Sequence, residues 1–278
     1  MLESLQKKHS QYHGVKPLKR YSQNFITDPN LCDKIARHAN FSNHDTVLEI
    51  GPGTGELTKS IINYSPKSFI VIELDSRCIP LLHDIKNSTY PKMEIIHEDA
   101  LNLDLSNIIR DKLHIISNLP YSIGTTLILK WIKHLHLIHS MTLMFQKEVA
   151  ERIYSKPHSK SYGRLSVICQ LLCNVEKLFD IDKCNFYPIP NVDSTLIKLT
   201  PKNNLLSNDL INMIETITSI AFNQRRKMIK SSLKSLHPNI LGILNDLSIN
   251  PQDRAENLST ESFLSLAENL LNKNTIYQ

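Results

Sequence analysis

Short apolar runs alternating with polar, helix-spaced stretches set the frame of this chain. Thr46 to Ile50, Phe69 to Ile72, Met93 to His97, Leu113 to Ile116 and Ser140 to Phe145 are brief and rich in β-branched side chains, as strands buried in a sheet are. Between them, Glu56 to Ile62, Pro80 to Ile85, Thr125 to His134 and Gln146 to Tyr154 carry helical periodicity, and Asp28-Pro29 is a cap-and-start pair for an earlier helix reaching about Ala39. This alternation predicts an α/β domain. A helix over Gly163 to Cys173 and strands near Val175 to Phe179 and Ser194 to Leu199 continue it. The segment from Phe186 to Asp193 is too proline-rich for regular structure and is expected to be a rigid loop returning over the ligand edge of the sheet. After Pro201 only helical patterns remain: Leu206 to Ala221, a segment around Lys227 to Leu236, and Glu261 to Leu271. A domain boundary is therefore expected near residue 200, dividing 21–200 from 201–278, with residues 1–20 as a flexible basic arm.

Composition narrows the class. Of 278 residues, 41% are hydrophobic and 21% charged, which suits a globular protein, and no run approaches the roughly eighteen apolar residues of a membrane span. The first twenty residues lack an apolar signal segment, and five scattered cysteines without a C-x-x-C pair suit a reducing cytoplasm. The excess of 32 basic over 27 acidic residues is compatible with a polyanionic partner and insufficient to prove one. Basic clusters give that partner places to bind: Lys7, Lys8, Lys16, Lys19 and Arg20 in the arm, Lys156, Lys160 and Arg164 around a loop expected to be mobile, and Arg225, Arg226, Lys227 and Lys230 in a stretch without an acid. Each reads equally well as a solvated face. His134, His136 and His139 have no nearby Cys or carboxylate to complete a ligand set, so no metal is expected.

The chemistry gathers at strand ends. Gly51-Pro52-Gly53-Thr54-Gly55 follows the strand at Thr46 and opens a helix, the βα unit of a nucleotide-binding fold. Its G-x-G-x-G spacing lacks the third glycine position of a dinucleotide fingerprint, where Glu56 stands, and suits an adenosine without a pyrophosphate. Glu73 ends the next strand about twenty residues on, placed to take ribose hydroxyls. Asp99, beyond the strand after that, could accept an adenine amino group. The fourth strand runs into Asn118-Leu119-Pro120-Tyr121. The Asn118 carboxamide oxygen and the Leu119 carbonyl, fixed before Pro120, offer two acceptors for one exocyclic NH2, and Tyr121 adds a stacking face.

Eight segments in order, KRYSQNFITD, VLEIGPGTGELT, VIELD, HEDALNLDL, ISNLPYS, FQKEVAER, FYPIPNVDSTLIKL and FNQRRKMIKSSL, give the chain a full-length resemblance to the small-subunit ribosomal RNA adenine dimethyltransferases of the KsgA type. The resemblance implies a Rossmann-like, class I methyltransferase fold with a seven-stranded mixed sheet, followed by a small helical domain. It implies S-adenosyl-L-methionine as cofactor and N6,N6-dimethylation of two adjacent adenosines near the 3′ end of small-subunit rRNA, by a monomer acting on a small-subunit precursor. Carried over by motif, Asn24 and Ile26 would close over the cofactor, Gly51 and Gly53 approach it, Glu73 hold its ribose and Asp99 its adenine. Asn118 would serve both cofactor and target amine, and Tyr121 and Phe186 would sandwich a flipped-out adenine. Ser22 departs from the usual Gly and Ile26 from the usual Leu. Rival readings are a large-subunit rRNA adenine methyltransferase, a non-catalytic ribosome-assembly factor, and a DNA adenine methyltransferase.

Overall fold

The computed structural model describes residues 14–108 and 112–276. Strands are β1 (Phe25–Ile26), β2 (Thr46–Ile50), β3 (Ser68–Glu73), β4 (Met93–His97), β5 (Leu113–Asn118), β6 (Ile138–Gln146), β7 (Cys173–Ile181), β8 (Phe186–Tyr187) and β9 (Ser194–Pro201). The longer helices are α1 (Pro29–Ala39), α2 (Glu56–Ile62), α3 (Ile79–Thr89), α4 (Gly124–Trp131), α5 (Lys147–Tyr154), α6 (Arg164–Leu172), α7 (Asn208–Asn223), α8 (Ile240–Asp246) and α9 (Thr260–Ile276). Seven strands form one sheet in the order β4-β3-β2-β5-β6-β9-β7, with β4 through β6 parallel and β9 antiparallel to β6.

That order carries the functional consequence. The chain steps outward from β2 to β4, then returns to lay β5 on the other flank of β2, so the carboxyl ends of β2 and β5 stand side by side where the winding reverses. Ligands of open α/β sheets bind in the crevice at such a point. The Ser117 hydroxyl donates to the Ile50 carbonyl at 2.6 Å and fixes the two ends together.

Residues on the sheet and on the inward faces of its helices make the core. In α1, Leu31, Cys32, Ile35, Ala36 and Ala39 are buried at three- and four-residue spacing, and they pack with Phe69, Val71, Met93, Ile116 and Met144. The Asp28 carboxylate caps α1 by accepting from the Asn30 amide at 2.9 Å.

Contacts divide the chain into two compact units, residues 1–150 with 176–201, and residues 151–175 with 202–278. In the second unit Phe222 packs against Tyr162 and Phe263, with ring centroids 5.9 and 5.7 Å away. The helix expected around Lys227 to Leu236 shrinks to one turn, Ile229–Ser232, because Met228 pairs with Arg254 as an isolated bridge and its extended backbone delays the start. The proline-rich segment is not wholly irregular either: Phe25 and Ile26 pair antiparallel with Tyr187 and Phe186, ahead of the first proline.

Two expectations need correction. Residues 15–20 are not a free arm: Val15 is buried against Phe25 and Cys78, the Lys16 carbonyl accepts from Arg77 at 3.0 Å, and Lys19–Tyr21 form a 3-10 turn. Lys7 and Lys8 lie outside the described residues. The loop before α6 is anchored as well, since Arg225 donates to the carbonyls of Lys160 and Tyr162 at 3.1 and 2.8 Å, and the His158 amide donates to the Glu256 carbonyl at 2.8 Å.

Candidate active site

A cleft opens over the carboxyl ends of β2, β3, β4 and β5, within the first unit. Its floor is the glycine turn, its walls are Glu73, Asp99 and the Asn118–Tyr121 turn, and the segment Arg20–Ile26 crosses over it.

The glycines are there for different reasons. Gly51, Gly53 and Gly55 all adopt positive φ, of 66°, 57° and 83°. At Gly51 an added Cβ would meet only Pro120, at 3.7 Å, so the main chain lies open to the cleft. At Gly53 it would lie 2.7 Å from the Phe25 ring, and at Gly55 2.3 Å from Ile85 of α3. The first glycine leaves room for a ligand, and the other two let an aromatic ring and a helix pack against the turn.

Glu73 is buried, and each carboxylate oxygen accepts one backbone N–H at 2.8 Å, from Gly53 and from Asp75. Burial lifts its carboxyl above the ordinary range, opposed by those two hydrogen bonds. Asp99 is half-buried and accepts from the Leu101 amide at 2.9 Å. Sequence reasoning passed over Glu49, a buried carboxyl lining the same cleft. Its Oε2 accepts from the Thr58 hydroxyl at 2.7 Å, and burial pushes it up to about 8, with the charge of Glu73 adding to the rise.

The acceptor turn is fixed from both sides. Asn118 donates its Nδ2 hydrogen to the Asn24 carbonyl at 3.0 Å, which orients the carboxamide and leaves Oδ1 as its acceptor end. Tyr121 is held by a 2.7 Å hydrogen bond between its hydroxyl and that of Ser194, and Leu119 is buried beneath the turn. The crossing segment is clasped at its other edge. Gln23 accepts from the Leu18 amide at 2.9 Å and donates to Asp75 at 2.8 Å, while Arg77 holds Asp75 through contacts of 2.6 and 2.9 Å. Burial opposes ionisation of Asp75, but Arg77 and Gln23 outweigh it and keep the carboxyl below its usual value. Nothing in the sequence singles out this clasp, whose Gln23–Asp75 bond spans 52 residues.

The predicted cofactor residues Asn24, Ile26, Gly51, Gly53, Glu73, Asp99 and Asn118 thus converge on one cleft, together with Leu119, Pro120, Tyr121 and Arg20. Phe186 does not join them. It is fully buried in the core beside Ile26, Met144 and Leu196, so neither ring face can stack on a base. Pairing with β1 turns alternate residues inward and outward, and Phe186 falls on the inward side. Of the expected RNA contacts, Lys19, Arg20, Lys156, Lys160, Arg226 and Lys227 are exposed. Arg225 is occupied by two carbonyls and by Glu256 at 3.2 Å, and Arg164 faces Glu215 at 3.7 Å, so these two tie their own unit together. Among the described residues no group of three or more His, Cys, Asp or Glu is placed to hold a metal ion, and no helix is long and apolar enough to cross a membrane.

Sheets of this order, entered by a glycine turn where the winding reverses, are built by the Rossmann-like methyltransferases that draw on S-adenosylmethionine, and the cleft places this chain among them. The chain belongs to the ribosomal RNA adenine dimethylase family, whose sequence profile matches residues 15–272. It is 43% identical over 263 residues to the ribosomal RNA small subunit methyltransferase A of Ehrlichia canis, covering 93% of this chain and 100% of that protein. The protein of the same name from Rhodospirillum rubrum is 39% identical over 255 residues, 92% of this chain and 88% of the other. The crystal structure of a dimethyladenosine transferase from Plasmodium falciparum superposes with a TM-score of 0.78 at 29% identity, covering 90% of this chain and 98% of that one.

Proposed function

We propose that the chain transfers methyl groups from S-adenosylmethionine to the N6 amines of two adjacent adenosines near the 3′ end of small-subunit rRNA, two to each, acting as a cytoplasmic monomer on a small-subunit precursor. The observation that carries this reading is the oriented carboxamide of Asn118 on the cleft wall, with Nδ2 spent on Asn24 and Oδ1 left to accept. An aromatic amine is a weak nucleophile because its lone pair is delocalised into the ring. Acceptors at Asn118 Oδ1 and the Leu119 carbonyl hold both N6 hydrogens and favour the pyramidal, reactive form. Tyr121, pinned through Ser194, offers one stacking face for the extruded base.

The cofactor side is read from the same cleft. Glu73 and Asp99 take ribose and adenine, Gly51 lets the main chain approach, and Asn24 and Ile26 close over the top. When bound, S-adenosylmethionine supplies a methyl group on a sulfonium. The protein's own residues align the amine in line with it and keep water out, which is where most of the acceleration of a displacement arises. The amine proton leaves to water after transfer, so no strong base is needed. The small-subunit target is supported by the relatives that carry that name.

The test is incubation with labelled cofactor and unmethylated small ribosomal subunits, followed by digestion and mass detection. Two adjacent dimethyladenosines are expected. Label in large-subunit RNA would select the rival target, and cofactor binding without any transfer would select the assembly-factor reading.

A further inference from the structure

We propose that the loop from Pro188 to Val192 is a wedge, inserting Ile189 and Val192 into the RNA base stack beside the target adenosine to fill the gap that forms when that base swings into the cleft. This rests on the RNA-adenine reading above and adds residues that the reading itself does not use.

The placement comes from the loop's two ends. On one side Tyr187 pairs with Phe25, a residue of the cleft wall; on the other, Ser194 bonds the hydroxyl of Tyr121, the stacking residue. The intervening residues therefore start and finish one contact away from the cleft lining. They are held firmly there: the Lys147 amide donates to the Asp193 carbonyl at 2.9 Å, and the Lys183 amide to its carboxylate at 3.1 Å. Pro188 and Pro190 fix two φ angles and remove two backbone donors, so the loop can enter a nucleic acid without ordering itself first or leaving N–H groups stranded.

On this rigid stalk stand two large apolar side chains, Ile189 at 42% exposure and Val192 at 44%, three residues apart. Single exposed apolar residues need no explanation, but a stiffened pair on a loop whose two ends each bond a cleft-lining residue does. The partner follows from the chemistry. Asn118 lies half-buried on the cleft wall and cannot reach the N6 of a stacked adenine, so the base must leave its stack. The vacancy it leaves has two aromatic faces, and proteins that unstack nucleic acids fill such gaps with Ile, Leu, Phe, Met or Pro. Lys19 and Arg20 are exposed at the crossing segment, with Arg20 on the cleft lip, positioned for the flanking phosphates.

The test uses the full-length protein and the double variant Ile189→Ala/Val192→Ala, with Ile189→Leu/Val192→Ile as the conservative control. On unmethylated small subunits the alanine variant should lose about 10-fold or more in kcat/KM, the control should retain it, and cofactor titration should be unchanged in both. A hairpin RNA with 2-aminopurine at the target position, whose fluorescence rises on unstacking, gives a readout that a merely structural role would not move. The wild type should brighten it and the alanine variant should not. Wild-type methylation and brightening matched by the alanine variant would overturn the wedge alone. A wild type that methylates no small-subunit adenosine would overturn the functional reading and the wedge with it.

Discussion

Ser22 holds φ 51° and ψ 36°, the left-handed region in which a β-carbon crowds the backbone. Its hydroxyl reaches that of Ser122 at 3.1 Å, so the crossing segment is stitched to the acceptor turn at a second point beside Asn118. A β-branched replacement adds bulk at Cβ where the left-handed backbone tolerates least: Ser22→Val should cost about 1–2 kcal/mol in denaturant unfolding, whereas Ser22→Gly should stay within about 1 kcal/mol, strain relief being offset by a freer unfolded chain. At Asn118 the effect is on chemistry. Asn118→Ala should abolish methyl transfer while cofactor affinity, by calorimetry, changes only a few-fold. Asn118→Asp should do the same for another reason, since a carboxylate would face the Asn24 carbonyl acceptor to acceptor, a repulsion of roughly 1–3 kcal/mol that turns the side chain away. The place of Asn118 at a strand end beside the glycine turn was readable from its neighbours in sequence; its orientation was not, because the partner that sets it lies 94 residues away.

Among elements, the strand-turn-helix unit at β2 and α2 explains the most with the fewest residues. Gly55 caps α2 at φ 83°, and a methyl there would strike Ile85 of α3. Gly55→Ala therefore combines backbone strain with a clash and should destabilise by about 3 kcal/mol or more, whereas Gly51→Ala meets only the strain, about 1–2 kcal/mol, and should show its defect in cofactor affinity. Thermal unfolding beside cofactor titration separates the two. The strands of the parallel sheet were legible because strands buried on both faces read as continuous apolar runs. The short β1–β8 pair was not, since two residues carry no periodicity and only tertiary pairing makes them strands. The same limit misplaced Phe186, which the family resemblance implies as a stacking ring and whose pairing turns it into the core.

Across the whole molecule, side-chain partners separate the basic residues left to solvent from those that tie a unit together. Arg226 and Lys227 are exposed, so the double variant Arg226→Ala/Lys227→Ala should weaken RNA binding and lower the salt dependence of log K by about 1 per lost phosphate contact. Arg225→Ala should instead loosen its own unit, with the loss read in thermal unfolding. At the far end of the sheet, His114 is buried, with Nδ1 2.9 Å from the Ser140 hydroxyl and Nε2 facing Asp45 at 3.5 Å. Burial, then the proximity of His139, hold it down to about 4 against an ordinary 6.5, while Asp45 pulls the other way. The unfolded chain thus takes up a proton through about 6.5 that the folded chain refuses until about 4. Its contribution to stability is full above 6.5 and falls as pH drops through that window, and His114→Gln should flatten the fall in denaturation measured between pH 7 and 4.5. Composition foretold a mildly basic protein, yet not the paired state of Arg225 or Arg164, because ion pairs between distant segments leave no local mark.

The 3.0 Å bond from Asn118 to the Asn24 carbonyl joins the middle of the chain to its beginning. The carboxamide proposed to receive the target amine is therefore oriented by a stretch that lies outside the acceptor turn. Trimming the chain back past residue 24 would leave every strand of the large sheet in place and still cost the enzyme its aim. A mutation that moves the Asn24 carbonyl should be felt at the acceptor turn, as a change in direction rather than in composition.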